Sequence, residues 1–145
     1  MATEIVKLGL GPGALPGLPV GPAAAAVLQE TPNAAFAADE FFRARISNEH
    51  TRRAYGRIVD RFLTWCGERK LTMRQITPGL AGEYIGQLNG SEPTRNQALA
   101  ALRRFFDAMA QRHAIALNPF ASVRGLKYSV TEGKTAELAI EQARK

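Results

Sequence analysis

Two stretches decide the fold: NEHTRRAYGRIVDRFLTWC at residues 48–66 and SEPTRNQALAALRRFFDAM at residues 91–109. In both, large apolar residues recur three and four positions apart, which is the spacing of an amphipathic helix. The apolar positions are Tyr55, Ile58, Val59, Phe62, Leu63 and Cys66 in the first stretch, and Leu99, Leu102, Phe105, Phe106 and Met109 in the second. This spacing predicts two long helices that pack through these faces.

Capping residues and prolines predict where the helices begin and end. The expected starts are Asn33, then Ser47 or Asn48, then Thr77-Pro78, and finally Ser91 or Thr94. The expected ends are Arg45, Lys70, Leu88 and a break at Asn118-Pro119, because the residue before proline avoids the helical region. No segment alternates like a strand, so we predict an all-α fold, a compact bundle of four to five helices.

The chain divides into three regions by composition. Residues 1–33 contain five of the eight prolines and are rich in Gly and Ala, which predicts a flexible arm with at most a transient helix over residues 23–29. Residues 34–120 carry the helical pattern and form the expected core domain. Residues 121–145 are predicted to be a linker that ends in a short helix over residues 136–144.

Several classes of protein are excluded or disfavoured by the residue types present. The lone Cys66 cannot form an internal disulfide or a cysteine zinc site, and we expect it to be a small buried thiol. His50 and His113 have no ligand or nucleophile spacing, so we expect no metal site. No apolar run is long enough to span a bilayer, and the N-terminus is not typical of a signal peptide. A cytoplasmic protein is therefore expected.

Basic residues are concentrated in the part of the chain predicted to fold. Residues 1–40 contain one Lys against four acidic residues, whereas residues 41–128 contain fifteen Lys and Arg against six Asp and Glu. Residues 129–145 are balanced, with three of each sign. This asymmetry favours a polyanionic partner such as nucleic acid. A basic surface kept for solubility is the alternative.

Helical phase places the basic and amide side chains outside the apolar faces. In the first stretch Arg53, Arg57 and Arg61 follow at intervals of four, with Arg52 expected on the flank. The second stretch presents a mixture of Asn, Gln, Ala and Arg, residue types that read base edges and bind phosphate. The predicted DNA contacts are Thr51, Arg52, Arg53, Arg57, Thr94, Asn96, Gln97, Arg103, Arg104, Arg124 and Lys127. Arg95 is instead expected to extend over the core.

Charge and phase alone leave three functional hypotheses open. The first is a DNA-binding module, for which the alternative is an ordinary solvated helix face. The second is a small helical DNA-binding transcriptional regulator, and the third is a helical protein-interaction adaptor whose basic face meets an acidic partner.

A family resemblance adds to this interpretation. The ordered motifs are Ser47-Asn48-Glu49-His50-Thr51, Trp65-Cys66, Ile76-Thr77-Pro78, Pro93-Thr94-Arg95-Asn96-Gln97-Ala98-Leu99, Leu102-Arg103-Arg104-Phe105-Phe106 and Asn118-Pro119. Over about residues 34–128 this pattern resembles the N-terminal core-binding (SAM-like) domain of tyrosine recombinases, the phage-integrase family. The resemblance implies half of a clamp around double-stranded DNA, further recombinase subunits as partners, and no cofactor, metal or small-molecule substrate.

The resemblance also implies that the strand-cutting chemistry belongs to a separate C-terminal domain with a tyrosine nucleophile. The last tyrosine here is Tyr128, in the predicted linker, so we expect residues 121–145 to lead into such a domain. We expect no catalytic residue in this chain, and no cleavage of DNA by the chain alone. The first helix packs on a neighbouring subunit in this family, which implies a partner contact for Phe36, Phe41 or Phe42; burial in their own core is the alternative.

Overall fold

A computed structural model describes residues 18–124, and these form an all-α bundle, as predicted. The helices are α1 (Pro22–Glu30), α2 (Ala34–Ala44), α3 (Glu49–Glu68), α4 (Pro78–Gln87) and α5 (Glu92–Gln111). A single turn of 3-10 helix, Met73–Gln75, lies between α3 and α4. Among the described residues there is no strand.

Side-chain caps fix the starts of three helices at predicted positions. The Asn48 side chain accepts the Thr51 amide at 3.2 Å and begins α3. The Thr77 hydroxyl oxygen accepts the Leu80 amide at 3.2 Å to begin α4. Ser91, rather than Thr94, caps α5. Each cap satisfies a first-turn amide that has no partner within the helix.

The α2 start differs in mechanism from the prediction. Asn33 occupies the predicted capping position, but its backbone is left-handed, with φ 71°, and its side chain makes no capping bond. Asparagine tolerates this conformation better than most residues. Asn33 therefore serves as a turn residue between α1 and α2.

The core is built around Phe62 of α3. Its ring centroid lies 4.8 Å from that of Tyr84, 5.0 Å from Phe120 and 5.7 Å from Phe106. These edge-to-face contacts join α3, α4, α5 and the segment after α5. Cys66 is fully buried on the same helix, and this burial raises the pKa of its thiol to about 12, with the Arg69 charge opposing the shift.

Helix α1 shows that residues 22–30 of the predicted flexible arm belong to the folded core. Pro22 occupies the first turn, where its missing amide costs nothing, and the following alanine-rich segment packs on α3. Leu28 is fully buried, and Val27 approaches α3 so closely that a Cβ on Gly67 would lie 3.2 Å from it. Small alanines allow α1 to approach α3 closely. Residues 1–17 of the predicted arm lie outside the described residues.

Helix α5 ends at Gln111, seven residues before the predicted break at Asn118-Pro119, and His113 follows in a left-handed conformation with φ 64°. The chain then folds back onto the core. Asn118 donates from Nδ2 to the Arg103 carbonyl at 2.8 Å, and its Oδ1 accepts the Phe120 amide at 2.9 Å. Phe120 is fully buried. The end of the core is thus held by side-chain bonds to α5.

Candidate nucleic-acid interface

Residues 54–61 in the middle of α3 and residues 94–98 at the start of α5 form the two walls of a groove, and α4 and the turn after it form its floor. The pocket in this groove has a volume of about 170 Å³. Its lining consists of Ala54, Arg57, Ile58, Arg61, Tyr84, Leu88, Asn89, Thr94, Arg95, Gln97 and Ala98. Three arginines and no carboxylate line the groove, so it is electropositive.

The arginines of α3 that were predicted to face outward do so. Arg53, Arg57 and Arg61 are exposed. Arg53 donates from Nε to a Glu49 carboxylate oxygen at 3.2 Å. Because this ion pair is on the surface, water and salt weaken the attraction between the two charges. Within residues 18–124, Arg57 and Arg61 form no ion pair. The nearby Asp60 accepts the Gly21 amide at 2.7 Å, which orients this carboxylate toward the α1 side of α3.

The predicted contacts on α5 are divided between two sides of the helix. Gln97 lines the groove, and Arg104, seven residues later, lies on the same side. Arg104 donates to the Tyr55 hydroxyl at 3.2 Å and lies over its ring, so it bridges α5 to α3. Asn96 and Arg103, also seven residues apart, lie on another side of α5, away from the groove.

Arg103 has a partner within the fold. Its Nε donates to the Phe120 carbonyl at 3.2 Å, and its NH2 group donates to the Val123 carbonyl. The guanidinium therefore holds the segment that returns after Asn118, and it is half-buried. Helical phase alone had placed this side chain toward DNA; the structure gives it an internal structural role.

Arg52 lies on the flank of α3, as helical phase predicts. It lies seven residues before the buried Val59, so both share the core side of α3. Its side chain is 30% exposed and lies 3.8 Å from a Glu49 oxygen. Arg52 is thus beside the core rather than on the basic face with Arg53 and Arg57.

Of the remaining predicted contacts, Thr94 lines the groove, whereas Thr51 and Arg124 do not. Thr94 is exposed on the first turn of α5, with its hydroxyl 3.0 Å from that of Ser91. Thr51 is half-buried on the first turn of α3, and Arg124 is exposed after α5. Lys127 lies outside the described residues.

Four polar residues that line the groove were not among the predicted contacts: Arg61, Tyr84, Asn89 and Arg95. Arg95 was expected to extend over the core, and Tyr84 lies in the predicted helix that ends at Leu88, for which no contact was predicted. Burial raises the pKa of Tyr84 to about 12, while the Arg61 charge opposes this shift. Its hydroxyl therefore remains protonated, and a hydrogen-bond donor, at neutral pH.

The phenylalanines of α2 are now divided between two environments. Phe41 and Phe42 are buried in the core, whereas Phe36 is 55% exposed, with the Arg112 guanidinium 5.3 Å from its ring centroid. Burial, the alternative that the sequence left open, therefore applies to Phe41 and Phe42.

Residues 39–113, just over half of the chain, match the family described as phage integrase, N-terminal SAM-like domain. The chain belongs to this family and is a recombinase-associated domain. No curated protein and no solved structure matches it.

In the part of the chain that the structure describes, no helix combines the length and the hydrophobicity of a membrane-spanning segment. No group of three or more His, Cys, Asp or Glu residues there is placed to hold a metal ion.

Proposed function

We propose that this chain is the core-binding domain of a site-specific tyrosine recombinase and that it grips duplex DNA in the α3–α5 groove. A separate catalytic domain would then cleave and rejoin the strands. Its partners are double-stranded DNA and other recombinase subunits, and the setting is the cytoplasm. Membership of the integrase SAM-like family supports the recombinase context.

The observation that carries the proposal is the convergence of two predicted DNA-contact faces on one groove. Arg57 from α3 and Gln97 from α5 line the same pocket, and no acidic residue lines it with them. The first turn of α5 adds a favourable partial charge for anions, since its amides point toward the N-terminus.

Among the proposed DNA contacts the residue types divide by chemistry. Arg53, Arg57 and Arg61 have exposed guanidinium groups suited to phosphate oxygens. Gln97 has the paired donor and acceptor that match an adenine edge in the major groove. Thr51 and Thr94 are at helix starts, where a hydroxyl reaches a phosphate. Asn96, Arg104 and Arg124 remain proposed contacts outside the pocket.

Arg52 and Arg103 are left out of the proposed contact set. Arg52 lies on the core side of α3, and Arg103 is bonded to two carbonyls of the returning segment. Phe36, the exposed phenylalanine of α2, is the residue that we propose for contact with a neighbouring subunit.

A fluorescence anisotropy titration of the chain with labelled duplex DNA tests this function. With about four to eight phosphate contacts, the logarithm of the association constant should fall with the logarithm of salt concentration at a slope of roughly −4 to −7. No binding at low salt, or binding indifferent to salt, would exclude the proposal. Binding that is unchanged by charge reversal at both Arg53 and Arg57 would instead favour the adaptor hypothesis.

A further inference from the structure

Arg95 differs from the other arginines of the groove because it is partly buried. It lies on the first turn of α5, on the core side, and its side chain reaches the pocket that Arg57 and Arg61 also line. Its Nε is buried and has no hydrogen-bond partner among the described residues. Within residues 18–124 it forms no ion pair.

This arrangement is unfavourable unless an anion is bound. A buried N–H group without an acceptor loses its hydration and gains nothing in return. Three guanidinium groups around one pocket also repel one another, and the pocket lining contains no carboxylate to offset this repulsion. Because Nε itself is buried, a bound anion would contact the rest of the Arg95 guanidinium, and it would neutralise the field of the three arginines that line the pocket.

The size and donors of the pocket restrict the kind of anion. A volume of about 170 Å³ is below the range of about 300–1,000 Å³ that is typical of sites for larger ligands. Thr94, Asn89 and Tyr84 also line the pocket, and each of these residues has a hydrogen-bond donor in its side chain. These are donors for a small oxyanion with several acceptor oxygens, as a phosphate group has.

We infer that the pocket formed by Arg57, Arg61 and Arg95 holds one backbone phosphate of the bound duplex, and that Arg95 contacts this phosphate. The inference rests on the proposed DNA-binding function and adds to it a residue that lies outside both predicted contact faces. Free inorganic phosphate offers the same chemistry, so the test separates the two sources.

The test compares the complete chain with two variants that each remove one positive charge. Arg95→Gln keeps a polar side chain at the pocket but loses the guanidinium. Arg43→Gln is the matched control, since Arg43 is exposed on α2 and paired only with Asp39. Circular dichroism melting verifies that both variants are folded. DNA affinity is measured by anisotropy over a salt series, and the arginine Nε–Hε NMR signals are followed during titrations with duplex and with inorganic phosphate.

We expect Arg95→Gln to weaken DNA binding roughly tenfold, as for the loss of a charge-assisted hydrogen bond, and Arg43→Gln to have little effect. The salt slope should become shallower by about 0.9, the value for one phosphate contact. The Arg95 signal should shift when duplex is added.

Three results would overturn the inference. Equal affinities and slopes for Arg95→Gln and Arg43→Gln would remove Arg95 from the interface while leaving DNA binding intact. A signal that shifts with inorganic phosphate but not with duplex would make the pocket a site for free anions. Absence of DNA binding by the unaltered chain would instead reject the proposed function itself.

Discussion

Arg103 of α5 donates a hydrogen bond from Nε to the backbone carbonyl of Phe120 at 3.2 Å. Phe120 in turn inserts its ring beside Phe62 and Phe106 in the core. The guanidinium therefore anchors the segment that leaves the helical domain, at the point where the chain turns after Asn118-Pro119.

This anchor predicts a stability role for Arg103. Arg103→Met retains most of the side-chain stem but removes its donors to the Phe120 and Val123 carbonyls, so unfolding in urea should require about 1–3 kcal/mol less free energy. Arg43→Met, which breaks only one exposed ion pair, should cost about 0–1 kcal/mol. Equal stability of the two variants would show that the anchor contributes nothing.

The close approach of residue 19 to α3 predicts opposite effects for two glycine substitutions. A Cβ on Gly56 would lie 2.7 Å from the Pro19 carbonyl oxygen, whereas a Cβ on Gly82 in α4 would meet nothing within 4 Å. Gly82→Ala should stabilise the protein by about 0.5–1 kcal/mol through helix propensity. Gly56→Ala should destabilise it by roughly 1–3 kcal/mol because the N-terminal segment must move.

Urea unfolding of both glycine variants is the measurement. Stabilisation by Gly56→Ala equal to that by Gly82→Ala would mean that residues 18–21 do not pack on α3 in solution.

Burial of Cys66 predicts a loss of stability at alkaline pH. The pKa of the thiol rises from 9.0 in the unfolded chain to about 12 in the folded one. Above about pH 9 the unfolded state loses the proton and the folded state keeps it, so the free energy of unfolding falls as pH rises. Below pH 9 the thiol is protonated in both states and contributes no pH dependence.

Cys66→Ala should reduce this alkaline loss by about 1–2 kcal/mol between about pH 9 and pH 10.5. Urea unfolding of both proteins across this interval measures the difference. Burial, with a smaller contribution from Cys66, raises the pKa of Tyr84 from 10.0 to about 12, so Tyr84 adds a dependence of its own that begins near pH 10. Parallel pH profiles for the two proteins would contradict the assigned burial.

The helical core could be predicted because its signals are local. The caps at Asn48, Thr77 and Ser91 depend on bonds three residues along the chain, and apolar spacing correctly buried Phe62 and Cys66. Local pattern was sufficient for the positions and types of these helices.

The predictions that were wrong concern residues whose surroundings come from segments far away in the sequence. Helix α1 consists largely of small alanines after several prolines, and its burial depends on the close approach of Val27 to Gly67 on another helix. Arg103 had the correct phase for exposure, but the returning segment at Phe120 covers it. The position of Arg95 in the groove could not be predicted because it depends on α4, which brings Tyr84 into the same pocket.

The most direct test of the central claim compares the DNA affinities of Arg57→Glu and Arg43→Glu by fluorescence anisotropy with one labelled duplex at low salt. Both variants change the net charge equally, but only Arg57 lines the α3–α5 groove. Arg57→Glu should weaken binding at least about tenfold, as for loss of a phosphate contact and gain of repulsion, and Arg43→Glu far less. Equal weakening by the two variants, or none by Arg57→Glu, would contradict DNA binding in this groove.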